Sequence, residues 1–141
     1  MVNISDLTNY LINYPDLCVD NLKLQKLLFY CQAVTLVKTG KPLFSDKIEA
    51  WEYGPVIPTV YRKYKKFDGK ITEEKREGSI SPDDINCIDM AVEYYGEMSE
   101  IQLINSTHSE KPWKDAYAKG HNTEITTDSM MSFYKTTYSF K

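Results

Sequence analysis

The sequence predicts an all-α, mostly helical single domain with one short extended or β-hairpin element near residues 46–53. Three observations predict it. Apolar residues recur at three- and four-residue intervals through most of the 141 residues. Capping residues precede these runs, and glycine or proline closes them. The helical period is lost only between Pro42 and Pro58, where Lys47-Ile-Glu-Ala-Trp-Glu-Tyr53 alternates weakly, as an extended segment does. A chain of this length buries about two thirds of its unfolded surface, so residues 1–141 are read as one domain.

Taken in order, Ile4, Leu7, Leu11 and Tyr14 share helical spacing behind Asn3, and Pro15 stops that run. A second helix of about 18 residues starts at a capping Asp20, with Val19 and Leu24 spaced as a hydrophobic staple, and closes at Gly40 and Pro42. Leu24, Leu27, Leu28, Cys31 and Val34 line one side and Phe29, Ala33 and Leu36 another, so this helix is predicted to be central and buried. Little sheet is expected beyond the 46–53 element. Pro58 suits the first turn of a third helix, since its missing donor would have no partner there, and Tyr61, Tyr64 and Phe67 turn inward before Asp68-Gly69 ends it.

Lys70 to Ser79 is charged and poor in large apolar residues, and reads as an exposed, mobile connector. Ser81-Pro-Asp-Asp84 then starts a fourth helix, whose Ile85, Ile88, Val92 and Tyr95 share a face and which stops at Gly96. Ser99 and Gln102 form a capping-box pattern for a short fifth helix carrying Ile101, Leu103 and Ile104. Pro112 begins another turn or two. Thr126 caps a C-terminal helix containing Met130, Met131, Phe133 and Tyr134, with Ile125 as its outer staple residue.

Composition bounds function by exclusion. A net charge of −3 and a pI near 5.4 provide no global field for nucleic acid or an anionic membrane. No apolar run approaches the roughly 20 residues that span a bilayer. Cys18, Cys31 and Cys87 are odd in number, far apart and preceded by no secretory signal, so they read as reduced thiols in a soluble, cytoplasmic protein. Eleven tyrosines favour a surface with several amphipathic anchors.

No catalytic, cofactor or metal site is predicted. His108 and His121 are far apart, and neither a paired-His helix nor a Cys-x-x-Cys occurs. Cys31 lies on an apolar helix face, where it packs as a small hydrophobe. No glycine-rich phosphate loop is present. Arg62, Lys63, Lys65 and Lys66 interleave with Tyr61, Tyr64 and Phe67, a pattern compatible with single-stranded nucleic acid. Helical spacing favours the alternative, in which the aromatics pack and the basic side chains form a solvated face.

The block Glu49-Ala-Trp-Glu-Tyr-Gly-Pro-Val-Ile-Pro-Thr-Val-Tyr61 is different. Gly54 there supplies a backbone conformation closed to other residues, and Pro55 and Pro58 fix the entry into the third helix around a buried Trp51. Tyr53 and Tyr61 suit interface anchors, since tyrosine offers large contact area, a polar tip and few torsions to order. In His108-Ser-Glu-Lys-Pro-Trp113, Trp113 reads as core, and His108 with Glu110 as a surface constellation or a local hydrogen-bonded cap.

Read together, Lys23-Leu-Gln-Lys-Leu-Leu-Phe-Tyr30, Gly40-Lys-Pro-Leu-Phe44, Ala50-Trp-Glu-Tyr-Gly-Pro-Val56 and His108-Ser-Glu-Lys-Pro-Trp113 resemble the Panacea antitoxin domain, also called the phage-associated GepA or SocA-like family. The resemblance runs from about Leu7 to Tyr134. It implies the antitoxin half of a type II toxin–antitoxin pair that neutralises a cognate protein toxin by direct binding, with no enzymatic activity. The candidate partner-binding residues are Trp51, Tyr53, Gly54, Pro55, Tyr61 and Arg62, with His108 and Trp113. A second implied reading is a proteolytic adaptor that delivers the toxin to an ATP-dependent protease. A small hydrolase or a nucleic-acid-binding regulator is a further alternative, and self-association is left open.

Overall fold

The computed structural model describes residues 1–140. Seven helices and a three-stranded antiparallel sheet follow in the order α1 (Ile4–Ile12), α2 (Asn21–Thr39), β1 (Glu49–Trp51), β2 (Gly54–Val56), α3 (Pro58–Tyr64), α4 (Pro82–Tyr95), α5 (Glu100–His108), α6 (Lys111–Ala118), β3 (Thr123–Glu124) and α7 (Thr127–Thr137). The mostly helical class with a short hairpin is therefore the one the spacing predicts. The predicted caps are in place: side chains of Asn3, Asp20, Ser81, Ser99 and Thr126 each accept a backbone N–H of the first turn. The Ser99–Gln102 box closes in both directions.

Helix α2 is the axis of the molecule. All thirteen residues from Leu24 to Leu36 are buried, and α4, α5, α7 and the hairpin pack around them. A helix enclosed on every side must also bury its polar side chains, and each such group needs a partner. Gln32 accepts the backbone N–H groups of Leu43 (2.7 Å) and Phe44 (3.3 Å) and donates to the Phe44 carbonyl (3.0 Å), which pins the loop that leaves the helix. Gln25 accepts from the Ile57 N–H at 2.9 Å and so fixes the residue from which α3 departs. Thr35 donates to the Cys31 carbonyl.

Three sequence expectations are corrected. The sheet is larger than expected: β1 is its middle strand, paired with β2 through Glu49↔Val56 and Trp51↔Gly54 and with β3 through Glu49↔Glu124. Two-residue β3 carries no periodicity to betray it. The hairpin also extends past residue 53, because the turn is made by Glu52-Tyr53 while Gly54-Pro55 belong to a strand.

Lys70 to Ser79 has no regular structure, yet it is tied down as a strap. The Ile71 N–H donates to the Val19 carbonyl, and Asn9 bonds Glu73 Oε1 (2.7 Å), the Glu74 carbonyl (3.0 Å) and the Arg76 N–H (3.1 Å). Ile101 lies in α5 as expected and is 65% exposed, and Cys87 and Ala91 join Ile88 in the buried face of α4.

A partly buried polar network joins the helices around the middle of α2. The Glu110 carboxylate accepts the Tyr30 hydroxyl at 2.6 Å and the Tyr134 hydroxyl at 2.8 Å, and Tyr30 also bonds Ser106 Oγ. Tyr30 stacks on Tyr95 at 3.8 Å, and Tyr95 meets the hydroxyl of Tyr138. Burial raises the pKa of Glu110, while the two tyrosine hydrogen bonds oppose the shift. Much of the tyrosine content thus serves the core.

Candidate functional site

The antiparallel register of the hairpin decides where its side chains go. Successive residues of a strand face opposite sides, so Ala50 is buried while Glu49 and Trp51 remain half-exposed. The Glu52-Tyr53 turn projects outward, and Tyr53 is 57% exposed. Gly54 then carries the chain back at φ +111°, a left-handed backbone that side chains disfavour. Pro55 follows opposite Ala50, buried within β2.

Two aromatic groups flank this hairpin. Trp51 meets Tyr61 of α3 edge to face at 5.1 Å, and its indole N–H donates to Glu49 Oε1. His108, at the end of α5, stacks on Trp113 of α6 at 4.0 Å, and Trp113 stacks on Tyr117 at 4.6 Å. One bond joins the groups: the Trp113 indole N–H donates to the Trp51 carbonyl at 2.8 Å. The result is a half-exposed aromatic face of Trp51, Tyr61, His108, Trp113 and Tyr117, with Tyr53 exposed on the turn of the same hairpin.

The structure brings Trp51, Gly54, Pro55, Tyr61, His108 and Trp113 together, and Tyr53 belongs to the same hairpin. Arg62 is exposed on α3 with Lys63, Lys65 and Lys66, while Tyr64 is buried, so the basic side chains form a solvated face. Three expectations change. Trp51 and Trp113 are half-buried rather than fully enclosed in the core: Trp51 meets Tyr61 edge to face, and Trp113 stacks on both His108 and Tyr117. His108 and Glu110 form no pair, since the Glu110 carboxylate turns inward to the tyrosines and makes no capping bond.

Sequence reading missed the polar groups behind this face. Lys26 is 0% exposed, and its ammonium nitrogen has no hydrogen-bond partner. A Cβ on Gly54 would lie 2.7 Å from Lys26 Cε and 2.9 Å from Thr107 Oγ1, so the glycine backbone is the lid over both side chains. Burial lowers the Lys26 pKa to about 7, against a small opposing effect of Asp20. His108 Nε2 is also buried without a partner. Burial lowers the His108 pKa, a hydrogen bond to the Glu52 backbone raises it, and the Lys26 charge lowers it further. The available signal was Lys26 itself, a cation on a helix that is apolar around most of its circumference.

Among the described residues, no group of three or more His, Cys, Asp or Glu side chains could hold a metal ion, and no helix is long and apolar enough to cross a membrane. Cys31 is fully buried, which pushes its thiol pKa well up and away from nucleophilic use. The cleft between α1 and the strap, lined by Tyr10, Tyr14, Arg76 and Ile85, contains none of the sequence-predicted site residues.

The family model described as "Antitoxin SocA-like, Panacea domain" matches residues 24–114. The chain is also similar to Antitoxin SocA of Caulobacter vibrioides (strain NA1000 / CB15N), at 35% identity over 124 residues that cover 78% of this chain. It spans 65% of the length of that relative. No solved structure matches.

Proposed function

Because the chain belongs to the antitoxin SocA-like, Panacea-domain family, whose model spans residues 24–114, we propose that it is the antitoxin of a type II toxin–antitoxin pair and neutralises a cognate protein toxin by direct binding. The observation that carries the reading is that the matched stretch contains every candidate partner-binding residue: Trp51, Tyr53, Gly54, Pro55, Tyr61, Arg62, His108 and Trp113. Specific neutralisation needs an interface burying on the order of 1,600 Å2, with a few aromatic or arginine anchors near its centre. The stacked aromatics are already ordered by one another, so little rotamer entropy is lost when a partner covers them.

The reading is non-enzymatic. The aromatic face offers shape and contact area, and Arg62, exposed on α3 next to Tyr61, offers charge for steering the encounter.

Co-expression with the product of the adjacent reading frame tests the proposal. Growth should be rescued, and the two chains should elute together in gel filtration. Rescue without a stable complex would contradict sequestration and favour delivery of the toxin to an ATP-dependent protease.

A further inference from the structure

Beneath the Glu52–Gly54 turn, Lys26 and His108 each bury a nitrogen that nothing satisfies. Burying an ammonium without a partner is among the most unfavourable arrangements a fold can contain, and leaving an imidazole nitrogen unpaired beside it adds to the cost. The other buried polar side chains of α2 show that this helix does find partners: Gln25, Gln32 and Thr35 are all hydrogen-bonded. Lys26 is the exception, and it lies under the one residue of the hairpin that has no side chain.

We propose that Lys26 and His108 form a carboxylate-binding subsite, closed in the free chain by the Glu52–Gly54 turn and filled when an acidic group enters beneath that turn. Lys26 offers one charged donor and His108, once protonated, a second, and a carboxylate has two oxygens to accept them. Thr107 adds no third donor, because its hydroxyl already donates to the Ile104 carbonyl at 3.0 Å. No arginine fork or row of backbone N–H groups converges here, which disfavours a phosphate. The charged group facing Lys26 from its own end of the helix is Asp20, which is engaged with the Lys23 N–H.

The carboxylate has two possible sources. It is an aspartate or glutamate of the toxin, in which case the site deepens the antitoxin reading and rests on it, or it is a small free carboxylate. In either case the anion restores a full charge to Lys26 and draws a proton onto His108. Affinity is then highest below pH 7 and falls as pH rises, because above the free-state pKa of Lys26, about 7, each binding event must capture a proton.

The test is an NMR pH titration of the intact chain carrying 13C-labelled lysine, free, with sodium acetate, and in complex with the product of the adjacent reading frame. The Lys26 midpoint should lie near 7 in the free chain and rise by at least about one unit when the site is filled. A rise with acetate identifies a site open to free carboxylates, whereas a rise with the protein alone identifies a side chain of the partner. If neither moves the midpoint, the proposal is overturned, and formation of the complex leaves the antitoxin reading standing. If no complex forms, the acetate titration alone decides the site. Lys26→Met should remove the resonance and, where a complex forms, weaken it tenfold or more. Undiminished affinity in a folded Lys26→Met chain would exclude a toxin carboxylate from the site.

Discussion

A lysine side chain carries three N–H donors, and Lys26 ends with none of them partnered. The consequence for stability has a definite sign. Its folded-state pKa, about 7, lies below its ordinary value of 10.5, so the unfolded chain binds more protons between those values. The penalty of the buried charge is therefore fully present below pH 7 and is relieved as pH rises towards 10.5. Unfolding free energies of the parent chain and Lys26→Met, measured from pH 6 to 9, should converge by up to about 1.4 kcal/mol per pH unit above 7. A constant difference would show that Lys26 is not buried as a free amine. Gly54→Ala probes the lid. Its methyl would meet Lys26 and Thr107 at 2.7 and 2.9 Å on a backbone that already disfavours a side chain. Strain and overpacking together should cost about 2 to 4 kcal/mol, read as a lower urea midpoint.

At the scale of elements, helix ends were legible because a cap is a local event: Ser99 and Gln102 specify α5 whatever surrounds them. Sheet pairing was not legible for the opposite reason. Thr123-Glu124 is a strand only because β1 is there to receive it, 73 residues away in sequence for the Ala50–Thr123 pair. The strap at 70–79 misled in the same way, since its charge pattern describes solvent exposure and says nothing of Asn9 waiting on α1 to bind it. Asn9→Ala removes three strap bonds at once. It should make Lys75 and Arg76 much more susceptible to trypsin in otherwise folded protein, by tenfold or more in initial cleavage rate. Unchanged cleavage would mean that the remaining ties, from Ile71 to Val19, Glu73 to Tyr64, and Arg76 and Ser79 to Asp6, hold the strap without Asn9.

For the molecule as a whole, α2 is both core and organiser: its apolar side chains anchor the helices, while Gln25, Lys26 and Gln32 address the loops and the hairpin. The candidate site was legible in part. The hairpin aromatics and Gly54 stand out in the sequence, but the contact between Trp51 and Trp113 depends on how α6 packs against β1. The part played by Tyr117 and the lack of a partner for Lys26 show only once that packing is known. The central claim is that this aromatic face binds the toxin. It is tested most directly by calorimetric titration of the toxin into the parent chain and into the double variant Tyr53→Ala/Tyr61→Ala, with a thermal melt of each. Losing two anchors should weaken binding by about 2 kcal/mol or more, roughly thirtyfold, while both proteins remain folded. Equal affinities in two folded proteins would contradict the claim and place the toxin surface elsewhere on the molecule.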